Sequence, residues 1–418
     1  MSVEVLIIFL AVLALANYRF RRSVLYPPFL FCGIWLFDLA ILRLNLVDMY
    51  PLHAITLNYL AAGAALFSVG GALAFLVPSW LIQIHLLPTP ASDSHSIDKR
   101  RPRKSVRRME FLIIVVLLAS VVVQIRNLIQ VASQGFGEGL FRRAQSVAEE
   151  NVNNGVEARS FLDYVPLIAV YIAVLFLLER RGRASWIVTT LALVSCIVRG
   201  GKGALLIFVS ALMSAYLINT NRERFLAALK SARWAILFFA ILFAGLLGTE
   251  KDTSSVQTSV VAFATNATVQ YIVGPLGAFD KVLTHPSDYT GAPHHTFKMF
   301  LRVASWFGII SYSPPSFNEW AFVPFGTNVY TLYKPFIADF GTYAALGVMA
   351  VIGFMHTLLF RRASTGGLLA VYMFALSVNP IFMAIFDDVY TAFAIYINGL
   401  LFGILYMTLR RIRWSQAA

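Results

Sequence analysis

Charge is what this sequence has least of. Only 13% of its 418 residues are Asp, Glu, Lys or Arg, roughly half the share carried by a soluble globular chain. No soluble fold fits that composition. Cysteine is scarce too. Cys32 and Cys196 both lie inside apolar runs, which excludes a disulfide framework and a cysteine-pair metal site. A basic leader is missing as well. The start, from Met1 to Ala16, has no basic residue and carries Glu4, and reads as a first spanning helix rather than a cleaved signal peptide. There is no low-complexity tract and no internal repeat.

What is present is hydrophobic, at 58% of residues, and it comes in long blocks rather than alternating patterns. The blocks cover residues 2–17, 24–42, 55–77, 111–125, 162–178, 184–198, 203–218, 234–248, 335–359, 367–386 and 390–409. A run of about 18 or more apolar residues spans the hydrocarbon of a bilayer as a helix. The expected fold class is therefore all-α: one polytopic integral membrane domain over residues 1–418, with about eleven transmembrane helices.

The net charge of +13 raises nucleic acid as a partner, but its placement argues against one. The basic residues sit in short clusters between apolar blocks. Every odd-numbered block is followed by such a cluster: Arg19/Arg21/Arg22, Lys99 to Arg108, Arg180/Arg181/Arg183, Arg222 to Arg233, Arg361/Arg362 and Arg410/Arg411/Arg413. The positive-inside rule puts that side in the cytoplasm. The amino terminus is then periplasmic and the carboxyl terminus cytoplasmic. Two long loops fall on the periplasmic side, over residues 126–161 and 249–334, and long loops are commonly functional. Within the second, Val256 to Phe279 and Phe297 to Tyr312 read as interfacial or re-entrant helices.

Charge that opposes these trends is informative. Arg-Gly-Gly-Lys-Gly, residues 199–203, forms a turn on the outer face. Its glycines let backbone N–H groups face an anion, and Arg199 and Lys202 fit a phosphate or diphosphate. The spacing is not that of a Walker A loop. The bland alternative is a tight hairpin with snorkelling cations. Arg142 and Arg143 in the first loop are either a solvated face or further anion ligands. In the second loop, Glu250, His294 and His295 belong to the residue class that serves as general base toward a sugar hydroxyl, although surface histidines are commoner. The pair His294/His295 lacks further ligands for a metal. Asp339, Asp387 and Asp388 lie at the outer ends of blocks. Each needs pairing, with Lys334, with Arg302 or with backbone at a helix end.

Three stretches then resemble one known family. They are Tyr271 to Asp280, Gly291 to Arg302, and Gly-Thr-Asn-Val-Tyr-Thr at 326–331 followed by Pro335 and Asp-Phe-Gly at 339–341. Together with the 199–203 turn and Arg361/Arg362, their order is similar to that of bacterial oligosaccharide repeat unit polymerases, the Wzy-type O-antigen polymerases. The resemblance in architecture covers nearly the whole chain.

The resemblance implies a glycosyltransferase of the bacterial inner membrane, active at its periplasmic face in lipopolysaccharide biosynthesis. Its two substrates are glycans on undecaprenyl diphosphate. The growing chain moves from its lipid diphosphate onto the terminal sugar of a new repeat unit, without a nucleotide sugar; no cofactor besides these lipid-linked glycans is expected, and no residue is assigned as a metal ligand. Arg199, Lys202, Arg302, Arg142 and Arg143 are the expected diphosphate ligands, with Tyr330 available to stack on a sugar. His294, His295, Asp339 and Glu250 are the expected base candidates. Membrane lipid, a chain-length regulator and a flippase are the implied partners. The alternatives are an O-antigen ligase-type transferase, with the same outer cations, and a lipid-linked oligosaccharide flippase, which would place charge near the bilayer midplane. Asp38 is the main such charge in the first half.

Overall fold

A computed structural model describes residues 1–82, 104–133, 165–179, 182–198, 202–220, 260–286, 295–311, 320–386, 389–390 and 393–415, with isolated positions between 224 and 233. The described residues are mostly helical, and their strands form one antiparallel pair of two residues each, β1 (Ala321–Phe322) and β2 (Gly326–Thr327), in register Ala321 to Thr327. Among the described residues, four helices are long and apolar enough to cross a membrane: Val3–Arg21, Ala54–Leu76, Glu110–Ala132 and Tyr333–Ser364.

Ten of the apolar blocks coincide with helices. In chain order these are α1 (Val3–Arg21), α2 (Pro27–Arg43), α3 (Ala54–Leu73, extended by a 3₁₀ turn to Leu76), α5 (Lys104–Ala132), α6 (Val165–Leu178), α7 (Arg183–Val198), α8 (Lys202–Asn219), α11 (Tyr333–Ser364), α12 (Leu368–Met383) and α13 (Phe393–Ser415). The remaining block, 234–248, lies outside the described residues. Three helices fall outside the blocks: the short α4 (Ser79–Ile82), then α9 (Val260–Thr284) and α10 (Lys298–Trp306) in the second long loop.

The helices are sorted as lipid requires. In α1, Val5, Ile8, Val12 and Leu15 are exposed while Leu6, Leu10 and Ala14 are buried. These are two faces of one helix, and both are apolar. In water an exposed stripe of that kind would be an association surface; against acyl chains it is at no disadvantage. In α5 the outward residues Leu112, Val115, Val116 and Val122 repeat the pattern.

The chain divides into two compact units. The first comprises Met1–Leu76, Thr220–Phe360 and Leu376–Leu400. Here α1, α2 and α3 pack on one another, and α9 packs on α2, α3 and the β hairpin. Small residues bring backbones together, as in helix pairs that lack a hydrophobic driving force. A Cβ at Gly70 would overlap the carbonyl oxygen of Ala350, and one at Gly353 that of Phe67, so α3 and α11 meet backbone to backbone. Beside that contact Phe31 stacks on Phe67 at 4.2 Å. Asn17, buried on α1, donates from Nδ2 to Ser68 Oγ on α3 at 3.0 Å. The second unit comprises Val77–Asn219, Arg361–Ala375 and Leu401–Ala418. In it α7 packs against α5, α6 and α8, and Tyr406 donates to Glu179 Oε2 at 2.7 Å.

Charge in the first unit collects at the helix ends. At one end the Arg21 guanidinium lies 4.3 Å from the centre of the Phe75 ring, next to Tyr26 and Phe360. At the other, Arg43 Nε meets Glu4 Oε1 at 3.1 Å. Arg21 belongs to the basic side of the sequence pattern, and Glu4 and Arg43 to the opposite side.

Candidate functional site

The end of the first unit that holds Glu4 and Arg43 also holds Asp339, His295, Lys334 and Tyr330 from the residues singled out in the sequence, together with Asp280. Its frame is a broken helix. In α11, Gly341 has φ 78° and ψ 169°, a conformation open in practice only to glycine. The break splits α11 into a short first segment, residues 333–340, and a longer second one. A break strands carbonyls that the helix would otherwise satisfy. Just past the break, Tyr59 on α3 donates from its hydroxyl to the Thr342 carbonyl at 2.6 Å.

Asp339 lies two residues before the break. Its Oδ1 accepts the backbone N–H of His295 at 2.9 Å and its Oδ2 that of Thr296 at 2.6 Å. Both donors begin the turn that leads into α10. The carboxylate therefore clasps the second long loop to the broken helix. Charge-assisted bonds to backbone N–H groups are among the stronger hydrogen bonds in a protein. Of the pairings open to Asp339, backbone at a helix end is thus realised.

Lys334 is the second residue of α11 and is 2% exposed. Its Nζ lies 3.8 Å from the centre of the Tyr330 ring, a cation–π contact in a desolvated place. Tyr330 is buried as well, so its ring supports Lys334. The backbone N–H of Leu332 donates to the carbonyl of Ala384, just past α12, at 3.0 Å. An aromatic cluster lies below: Tyr333 is 5.2 Å from Phe279, 5.4 Å from Tyr59 and 5.9 Å from Trp35, between ring centres. The Tyr333 hydroxyl occupies the place that a Cβ would take at Gly63.

A third group joins α9 to α3. Asp280 Oδ1 accepts from the backbone N–H of His53 at 2.9 Å and from Thr56 Oγ1 at 2.5 Å, while Oδ2 lies 2.8 Å from His53 Nδ1. Asp280 and Thr56 are buried. Glycines on α9 admit the neighbouring segments. At Gly277 a Cβ would press on Met49 and Val323, and at Gly274 on Phe325.

The other sequence-derived candidates divide as follows. Lys202 is the first residue of α8 and Arg302 lies in the middle of α10; their side chains are not among the described ones. Arg142, Arg143, Arg199, Glu250, His294, Asp387 and Asp388 lie outside the described residues. Among the described residues, no group of three His, Cys, Asp or Glu side chains is placed to hold a metal ion.

Sequence reasoning missed His53, Thr56 and the burial of Lys334. His53 is a lone histidine in a short connection, 227 residues from Asp280, and no local spacing pairs them. Asp38, flagged from sequence, is fully buried in α2, and neither oxygen has a hydrogen-bond partner among the described residues.

No protein-family model matches the chain, and comparison with curated proteins and with solved structures gives no match.

Proposed function

We propose that this chain is a glycosyltransferase of the O-antigen polymerase type in a bacterial inner membrane. In this reading it crosses the bilayer eleven times, with a periplasmic amino terminus and a cytoplasmic carboxyl terminus. It transfers a growing glycan from undecaprenyl diphosphate to the terminal sugar of a fresh lipid-linked repeat unit.

One observation carries the reading. Two stretches on which the resemblance rests, Gly291 to Arg302 and Gly326 to Gly341, are joined by the Asp339 carboxylate on the N–H groups of His295 and Thr296. The third, Tyr271 to Asp280, belongs to α9, which packs against the β hairpin that starts the 326–341 stretch. Segments selected for their likeness to one family thus share one end of one unit, the end the positive-inside rule assigns to the periplasm.

The chemistry suits a periplasmic reaction. A lipid-linked diphosphate sits at headgroup level, and its departure requires cations placed where negative charge develops. Arg199, Lys202, Arg302, Arg142 and Arg143 are the residues assigned that task. In the first unit, Lys334 lies buried against the Tyr330 ring. The acceptor hydroxyl must lose a proton to a base in hydrogen-bond reach, and His294, His295, Asp339 and Glu250 are of the right class. No nucleotide sugar is needed, because the lipid diphosphate is itself the leaving group.

The test is genetic. In the native host with this gene deleted, the polymerase reading expects surface glycans of a single repeat unit, restored to long chains by the wild-type gene. Long chains accumulating on carrier lipid would identify a ligase. Unprocessed repeat units held on the cytoplasmic side would identify a flippase. Unchanged glycan length and amount would rule out all three.

A further inference from the structure

His53 is held by one carboxylate at two points, its backbone N–H on Oδ1 and its imidazole Nδ1 on Oδ2 of Asp280. The first contact has a structural task. His53 precedes the first residue of α3, and Asp280 caps that helix from another helix, satisfying an otherwise orphaned N–H. The cap is complete with Oδ1, His53 N–H and the Thr56 hydroxyl. It does not require an imidazole at position 53. The Nδ1 contact is additional, and it orients the ring.

A carboxylate accepts hydrogen bonds and donates none, so the proton between the two groups sits on Nδ1. The lone pair of the neutral ring is then on Nε2. The His53 side chain is 63% exposed, and among the described residues nothing hydrogen-bonds Nε2. Asp280 is buried and fixed by Thr56, so the ring is aimed from below by a rigid anchor. A buried carboxylate, an oriented imidazole and an outward Nε2 form the arrangement by which acid-oriented histidines act as bases. Asp339, by contrast, has both oxygens engaged by the backbone N–H groups of the turn it clasps, and His295 is buried.

We propose that His53 is the general base of the glycosyl transfer and that Asp280 is its positioning residue; this rests on the polymerase reading above. As the acceptor sugar oxygen bonds to the anomeric carbon of the donor, its proton passes to His53 Nε2. The bond from that carbon to the diphosphate oxygen breaks, and its electron pair leaves with the lipid diphosphate. The imidazolium, stabilised by Asp280, then releases the proton to water at the outer face. No oxidant, metal or nucleotide enters the balance.

The experiment uses the full-length protein in lipid nanodiscs and, as probe, the lipid-linked repeat units that accumulate in a host lacking this gene. Wild type is expected to build a ladder of glycans. His53→Ala is expected to lower kcat about 100-fold or more, with KM within about twofold, and added imidazole is expected to restore part of the rate. Asp280→Asn keeps a capping oxygen but disturbs the ring, and should lower kcat with little change in KM. Thermal unfolding of each variant checks that the fold survives. A His53→Ala enzyme with wild-type kcat overturns the assignment while leaving the polymerase reading intact. So does a loss expressed in KM alone or one that imidazole does not relieve. A wild-type protein that forms no ladder from these substrates overturns both.

Discussion

Asp339 and His295 are joined by a 2.9 Å bond from a backbone N–H to a carboxylate oxygen, across 44 residues of chain. The second oxygen takes the next N–H, from Thr296. Asp339→Ala removes both acceptors and leaves two donors near the broken helix unsatisfied. The expected cost is about 2–4 kcal/mol, read as a fall in melting temperature of the purified protein, with shortened glycans in cells. Asp339→Asn has one good acceptor for two donors and should fall between. Full stability in Asp339→Ala would show that the clasp does not hold the loop.

The break at Gly341 yields a sharper contrast. A β-carbon at φ 78°, ψ 169° is strained whatever the space around it, and Gly341→Ala should destabilise by about 1–3 kcal/mol. Gly347 lies in the regular part of the same helix, where an added β-carbon would meet nothing within 4 Å. Gly347→Ala should stabilise slightly, by up to about 1 kcal/mol. Parallel thermal melts decide it, and equal effects at the two positions would argue that α11 runs unbroken.

The contact of α3 with α11 is equally exposed to test. Gly70→Val and Gly353→Val each drive a side chain into a backbone carbonyl that cannot move aside. Both should reduce the yield of monodisperse protein in detergent several-fold, at a cost of roughly 3 kcal/mol or more. Gly33→Ala, at a position with open space, should behave as wild type. Tolerance at Gly70 and Gly353 would contradict the close packing.

Much of this frame was legible in the sequence, because a bilayer imposes long apolar runs that single-residue effects do not obscure. Ten of the expected blocks lie on helices. Their edges moved where polar residues continue a helix beyond its apolar centre: the block at 111–125 belongs to a helix reaching from Lys104 to Ala132. Asp339 was legible as a carboxylate in need of partners. The identity of those partners was not, since they are backbone groups of a distant turn. The break at Gly341 was hidden because glycine is common in membrane helices. His53 and Asp280 could not be matched from sequence at all. Their partnership follows from the packing of α9 on α3, which depends on tertiary contacts rather than local pattern.

Asp38 supplies a fourth prediction. A fully buried carboxyl without a partner among the described residues is a cost to the fold. Asp38→Asn, of nearly the same volume and uncharged, should leave the melting temperature unchanged or raise it. A drop of several degrees would mean that Asp38 has a stabilising partner. Unchanged stability with lost polymerisation would assign Asp38 a part in function instead.

The central claim concerns the reaction itself. Its most direct test is reconstitution of the purified full-length chain in liposomes with undecaprenyl-diphosphate-linked repeat units, following glycan length and released lipid diphosphate together. The account predicts a ladder of products and one lipid diphosphate released for each new linkage. Absence of both the ladder and the released lipid diphosphate would contradict it.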